Sequence, residues 1–214
     1  MVWKVYQKLL STYGKQNWWP AETPFEVCVG AVLTQNTNWQ NVEKAIENLK
    51  SHNLLFPEKI LSTPLPLLQS LIKPAGFYKQ KANYLKNLSL FIVENGGLET
   101  LKKENLQTIR KKLLKVKGIG RETADSILLY ALNKKIFVID AYAKRLFYRL
   151  GITQKENEPY ENLRTLVETE FNRHNASIED YKEFHALIVK HCKEICRKTP
   201  DCKICNLKTS CMLK

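Results

Sequence analysis

Long apolar runs are missing from this chain. No stretch reaches the roughly 20 residues needed to cross a bilayer. The start, Met-Val-Trp-Lys-Val-Tyr-Gln-Lys, lacks the uninterrupted apolar region and small-residue cleavage site of a secretory signal. Both absences lead us to expect a cytoplasmic protein, whose cysteines stay thiols or bind metal rather than pair as disulfides. We find no lipidation motif and no amphipathic segment with a dedicated basic face, so a membrane surface is not an expected partner. Low-complexity linkers and internal repeats are also absent. Acidic residues are scarce, with 21 Asp and Glu against 34 Lys and Arg and a net charge of +13. At a pI near 9.4 the chain attracts polyanions, and nucleic acid is the polyanion left.

Strand patterns are nearly missing too. Ile136 to Ile139 is the one strand-like run, too short and isolated to imply a sheet. Elsewhere the apolar spacing is helical. Val2, Val5, Tyr6, Leu9, Leu10 and Tyr13 form one stripe, and Trp39, Val42, Ala45, Ile46 and Leu49 another. A third runs through Ala82, Leu85, Leu88 and Ile92. Phe25–Leu33 is apolar almost all round, which predicts a fully buried helix. Helices are predicted over Ala141–Leu150, Tyr160–Phe171 and Tyr181–Cys196, and the prolines of the first half mark loops and helix starts. The expectation is an all-α chain of about ten helices.

The most informative segment is 113–140. Leu106, Ile109, Leu113 and Leu114 face the core from one helix, and Ala124, Ile127, Leu128 and Ala131 from the next. Between them stand Gly118 and Gly120, with Val116 and Ile119 placed to pack inward. A Gly-x-Gly turn that opens a helix brings free amides close to an anion. Residues 102–121 carry Lys102, Lys103, Arg110, Lys111, Lys112, Lys115, Lys117 and Arg121 against Glu104 alone. A basic run by itself is a solvated face; with the turn inside it, it reads as a phosphate grip. A dinucleotide site would need a preceding strand, a third glycine and a βαβ unit, all missing.

Asp140 stands directly before a helical segment, where capping is its simplest role. Asp125, the rival carboxylate, is expected at the surface of the second hairpin helix. Cys196, Cys202, Cys205 and Cys211 follow C-x5-C-x2-C-x5-C, a spacing that does not choose between zinc, the commoner structural metal, and a [4Fe-4S] cluster. Cys192 is an alternative first ligand, Cys28 a core thiol, and His185 and His191 read as structural.

Lys115–Asp125, with Val138-Ile139-Asp140 after it, resembles the helix-hairpin-helix DNA glycosylases of the endonuclease III superfamily. So do Phe25-Glu26 and Gly30–Thr37, the segment Ala75–Ala82, and the cysteine tail. The resemblance implies a two-lobed all-α fold. One lobe would span 21–133, with the helix-hairpin-helix at about 106–132. The other would combine 1–20 with 134–214 and carry an iron–sulfur loop at 196–211. It makes Asp140 the catalytic carboxylate and favours [4Fe-4S] over zinc, although the family's first cysteine spacing is one residue longer. The partner implied is double-stranded DNA with a damaged base, bound by a monomer in the nucleoid.

One departure matters. Bifunctional members carry a lysine two residues after the second hairpin glycine, and this chain has Glu122. A carboxylate cannot form the imine that cuts the strand. The expected activity is therefore a monofunctional N-glycosylase acting in base excision repair. Trp18-Trp19-Pro20 and Gln35-Asn-Thr-Asn-Trp39 resemble the 3-methyladenine DNA glycosylase branch. That similarity assigns Trp18, Trp19, Pro20 and Trp39 to the base pocket, where indole faces attract a cationic alkylated purine. Gln35 would fill the gap left by the flipped nucleotide. Lys115, Lys117, Gly118, Gly120, Arg121, Arg197 and Lys198 would contact the backbone. The alternatives are a bifunctional glycosylase/lyase for oxidised pyrimidines and a damaged-DNA-binding module without catalysis.

Overall fold

The computed structural model describes residues 1–212, so the last two positions of the expected 134–214 segment lie outside the described residues. In chain order the helices are α1 (Val2–Tyr13), α2 (Pro24–Leu33), α3 (Trp39–Ser51), α4 (Pro57–Ser62), α5 (Leu65–Leu71) and α6 (Tyr78–Glu94). They continue with α7 (Leu98–Lys103), α8 (Leu106–Leu113), α9 (Arg121–Ser126), α10 (Ala141–Arg149), α11 (Tyr160–Arg173) and α12 (Ile178–Glu194). No strand forms among the described residues. The chain divides into two compact units, a middle one of Ala21–Lys134 and a terminal one of Met1–Pro20 with the chain from Lys135 on.

In the middle unit, α2 is buried on all sides from Phe25 to Leu33. Its start is written in Thr23-Pro24: the Thr23 hydroxyl accepts from the Glu26 amide at 3.1 Å, and proline needs no partner at the first helical position. Glu26 survives burial because Lys50 reaches it at 2.9 Å and the Glu22 amide donates to it at 3.1 Å. The end of α2 is held by Lys81 of α6, only 2% exposed, whose Nζ donates to the carbonyls of Leu33 and Ala75 at 2.8 Å each. Burial pushes that ammonium down to about 8.

The second hairpin helix differs from the sequence expectation. It is α-helical only to Ser126 and then widens into a π turn over Ile127–Ala131, closed by Leu132 N to Ile127 O at 3.1 Å. All five residues of the turn are buried. Leu114, expected on the core face, is exposed instead because α8 ends at Leu113.

In the terminal unit, Val2, Val5, Tyr6 and Leu9 of α1 are buried among α11 and α12. The Tyr6 hydroxyl donates to Asp180 at 2.7 Å. Asp180 also completes a capping box with Ser177 that opens α12. Phe137, Phe171, Tyr181 and Phe184 form an aromatic core with ring centroids 5.1–6.2 Å apart. Each such ring, fully buried, contributes about 1.5–3 kcal/mol.

Candidate active site

The hairpin is assembled inside the middle unit by one buried ion pair. Arg110 of α8 grips Asp125 of α9 with two parallel bonds, Nε to Oδ1 at 2.7 Å and Nη2 to Oδ2 at 3.0 Å. Asp125 is 0% exposed, which corrects its expected place at the surface. In sequence both residues look like solvated charges; in the fold they clamp the two helices together.

Between those helices the chain turns through Val116 and Gly118. Ile119 N donates to Val116 O at 3.0 Å, and Ile119 is buried while Val116 is only half so. Gly118 has φ +98°, and a Cβ there would lie 2.1 Å from Cδ1 of Tyr84 on α6. Only glycine meets both demands. Asn87 of α6 donates to Lys117 O at 3.1 Å. Gly120 caps α9 in an extended conformation. Lys115, Lys117, Gly120, Arg121 and Glu122 are all exposed, leaving a basic rim around the turn.

Gln35, just beyond α2, reaches this hairpin directly. Its Nε2 donates to Gly118 O and to the Thr123 hydroxyl, each at 3.0 Å. Trp39 sits half-buried at the first residue of α3, its indole N–H donating to Glu43 at 2.8 Å. Phe77, within the Ala75–Ala82 segment, is 64% exposed and holds a left-handed backbone (φ 46°) at the start of α6. Its signal in the sequence was a phenylalanine placed between Gly76 and a basic helix.

The terminal unit supplies Asp140. The run Ile136–Ile139 is buried but forms no strand. Side chains take the place of a sheet: Phe137 N donates to Glu168 at 2.9 Å and Ile139 N to the Tyr160 hydroxyl at 3.4 Å. The run delivers Asp140 to the N-cap of α10, where Oδ1 accepts from Ala143 N at 2.7 Å. Its side chain is 12% exposed, and Oδ2 lies 3.5 Å from Nε2 of His185 on α12. His185, read from the sequence as structural, thus faces the candidate acid. Burial, then the charge of Asp140, raises the phenol of neighbouring Tyr142. Such a carboxylate can stabilise a developing cation or orient water. Trp18 and Trp19, both half-buried, lie tilted with ring centroids 5.5 Å apart, followed by exposed Pro20.

The cysteine tail is organised by α10. Arg149 donates to Cys196 Sγ at 3.3 Å and to the carbonyls of Arg197 and Lys198 at 2.7 and 2.9 Å, and the Cys211 thiol donates to Arg149 O at 3.2 Å. Arg145 holds the Cys196 carbonyl at 3.0 Å. The neighbouring Cys192 side chain and then Arg149 lower the Cys196 thiol. Cys205 is raised by burial and by the charges of Cys196, Cys211 and Cys202, and His191 Nε2 lies 3.8 Å from its sulfur. Cys192, buried, points its thiol to Tyr142 O at 3.6 Å. Among the described residues no three His, Cys, Asp or Glu side chains converge to hold a metal ion. The chemistry of the donor set, four thiols along one anchored loop, fits a soft metal or an iron–sulfur cluster. Arg197 and Lys198 are exposed on that loop.

Residues 29–173 match the HhH-GPD superfamily of base excision DNA repair proteins. The chain belongs to this family. A Methanocaldococcus jannaschii protein, provisionally named a DNA repair glycosylase, is 51% identical over 217 residues, covering 100% of this chain and 97% of that protein. Endonuclease III of Thermotoga maritima is 30% identical over 190 residues, 88% of this chain and 82% of its own length. Among solved structures, the H. pylori 3-methyladenine DNA glycosylase bound to 1,N6-ethenoadenine superposes with a TM-score of 0.80 at 33% identity, covering 90% of this chain and 97% of that one. The all-helical architecture is that of the HhH-GPD glycosylases.

Proposed function

We propose that the chain is a monofunctional DNA N-glycosylase that flips out an alkylated purine, such as 3-methyladenine, and hydrolyses its glycosidic bond. The observation that carries this reading is Glu122. It occupies the exposed first turn of α9, two residues past Gly120, where an amine would be needed for imine chemistry. With no amine there, Asp140 and water remain. Asp140 is held at one oxygen by its own helix and lends negative charge to the sugar as the base leaves. A ring-alkylated purine leaves as a neutral base, so its bond breaks without strong acid catalysis. The 33% identity with a 3-methyladenine glycosylase supports the same substrate class.

The remaining roles follow from chemistry. The hairpin rim (Lys115, Lys117, Gly118, Gly120, Arg121) grips backbone phosphate, and Arg197 and Lys198 add a second contact. Trp18, Trp19 and Pro20 offer aromatic and apolar surface to an extruded base, and Trp39 is a separate candidate for stacking. Gln35 fills the vacated stack after releasing Gly118, and exposed Phe77 wedges between bases. Cys196, Cys202, Cys205 and Cys211 would hold a [4Fe-4S] cluster, which would cross-link the loop that α10 anchors. The protein acts as a monomer on double-stranded DNA in the cytoplasm.

Duplexes bearing 3-methyladenine, ethenoadenine or an oxidised pyrimidine test the reading when released base and nicked strand are scored separately. Release of alkylated purine without nicking, lost in Asp140→Asn while DNA binding persists, is the expected result. Efficient borohydride trapping of the wild type on an abasic duplex would falsify the monofunctional claim.

A further inference from the structure

Helix α10 uses only one of the two oxygens of Asp140. Oδ1 is pinned by the Ala143 amide at 2.7 Å. Oδ2 lies 3.5 Å from Nε2 of His185, an ion-pair distance. The imidazole arrives from α12, which packs on α10, and its side chain is 7% exposed. Phe137, in the segment that leads to Asp140, meets the His185 ring edge-on at 6.4 Å. Tyr142 on α10 and Cys192 on α12 also lie within electrostatic reach of Asp140.

We infer that His185 is a positioning residue for the reaction: Nε2–H pairs with Oδ2 and fixes the plane of the catalytic carboxylate. This rests on the reading of Asp140 as the acid that faces the sugar. A carboxylate held at one oxygen still turns about its last torsion, and each turn moves negative charge away from the cation it must face. A hold at both oxygens removes that freedom. The residue type is chosen for the task, because lysine would bring a permanent charge against Oδ2, whereas imidazole donates whether neutral or protonated. The arrangement requires the Nε2–H tautomer in the neutral ring.

The experiment compares wild type with His185→Leu, which keeps an apolar filling, and His185→Gln, whose Nε2 stands three bonds from Cβ as in histidine. Single-turnover base release from alkylated duplex is measured beside the dissociation constant for the same DNA. In His185→Leu the chemical rate falls on the order of 10- to 100-fold, as misplacing a catalytic group does, with affinity unchanged. His185→Gln recovers most of the rate. A leucine variant at wild-type rate, or a glutamine variant no faster than leucine, overturns the inference. Nitrogen-15 spectra of histidine decide the case without activity. A proton on His185 Nε2, whose resonance moves in Asp140→Asn, supports the pairing, and an unprotonated Nε2 refutes it. Absence of base release from every lesion in the wild type would defeat the glycosylase reading, while those spectra still judge the pairing.

Discussion

Replacing Gly118 by alanine probes the hairpin at its tightest point. Two costs are separable there. The first is conformational, since φ is +98° and an L-residue held in left-handed backbone loses roughly 1–2 kcal/mol. The second is steric. The added Cβ would lie 2.1 Å from Cδ1 and 2.2 Å from Cγ of Tyr84, whereas carbon atoms sit at about 3.5 Å or more. The ring must retreat, and overpacking of this kind costs about 1–3 kcal/mol. Gly118→Ala should therefore lose about 2–5 kcal/mol, of which only the first part survives in a Tyr84→Ala background. Urea melts of both single variants and the double complete the cycle. For a chain of this size each kcal/mol lowers Tm by about 2–4 °C, so heat scans resolve the terms as well. An equal cost of Gly118→Ala in both backgrounds would mean that Tyr84 does not press on the turn.

Three further outcomes are expected. Asp125→Ala strands Arg110 in the interior and lowers stability by about 3–5 kcal/mol, while Arg110→Met with Asp125→Leu recovers most of it; chemical melts showing no such recovery refute the buried pair. Glu122→Lys places an amine on the first turn of α9, so borohydride should now trap a covalent complex on an abasic duplex, and failure to gain it argues against the alignment of the hairpin. Lys81 titrates at about 8 in the fold but at about 10.4 in the unfolded chain. Between those values the unfolded state binds the extra proton, so this group's contribution to stability rises with pH. Urea midpoints of wild type and Lys81→Met across that range should differ in slope; parallel curves would contradict the assignment.

Features that repeat along the chain or depend on one neighbour were legible before any coordinates. The unbroken apolar run from Phe25 to Leu33 announces a helix buried all round, and an aspartate directly before a helical stretch announces a cap. The all-helical architecture and the glycosylase family follow from such signals combined. Partnerships across long sequence distance were not legible. Arg110 and Asp125 each look like surface charge until two helices fold back on one another. Tyr84 lies 34 positions before the glycine it crowds, with no local pattern to mark it. His185 reads as one more residue on the buried face of α12, because its neighbour Asp140 belongs to a different helix. The π turn escaped for another reason: periodicity assumes 3.6 residues per turn, and no local pattern in Ile127–Ala131 marks the change of pitch.

The terminal unit is discontinuous, joining Met1–Pro20 to the chain that resumes at Lys135. During translation α1 emerges ahead of the middle unit, and its partners in α11 and α12 follow only about 160–180 residues later. At about 5–20 residues per second this is a wait of roughly 8–36 s. Throughout it Val2, Val5, Tyr6 and Leu9 have nothing to pack against, while the contiguous middle unit can already fold. The α1 segment is thus among the last to find its native partners, and until they emerge it stays open to chaperone capture or proteolysis.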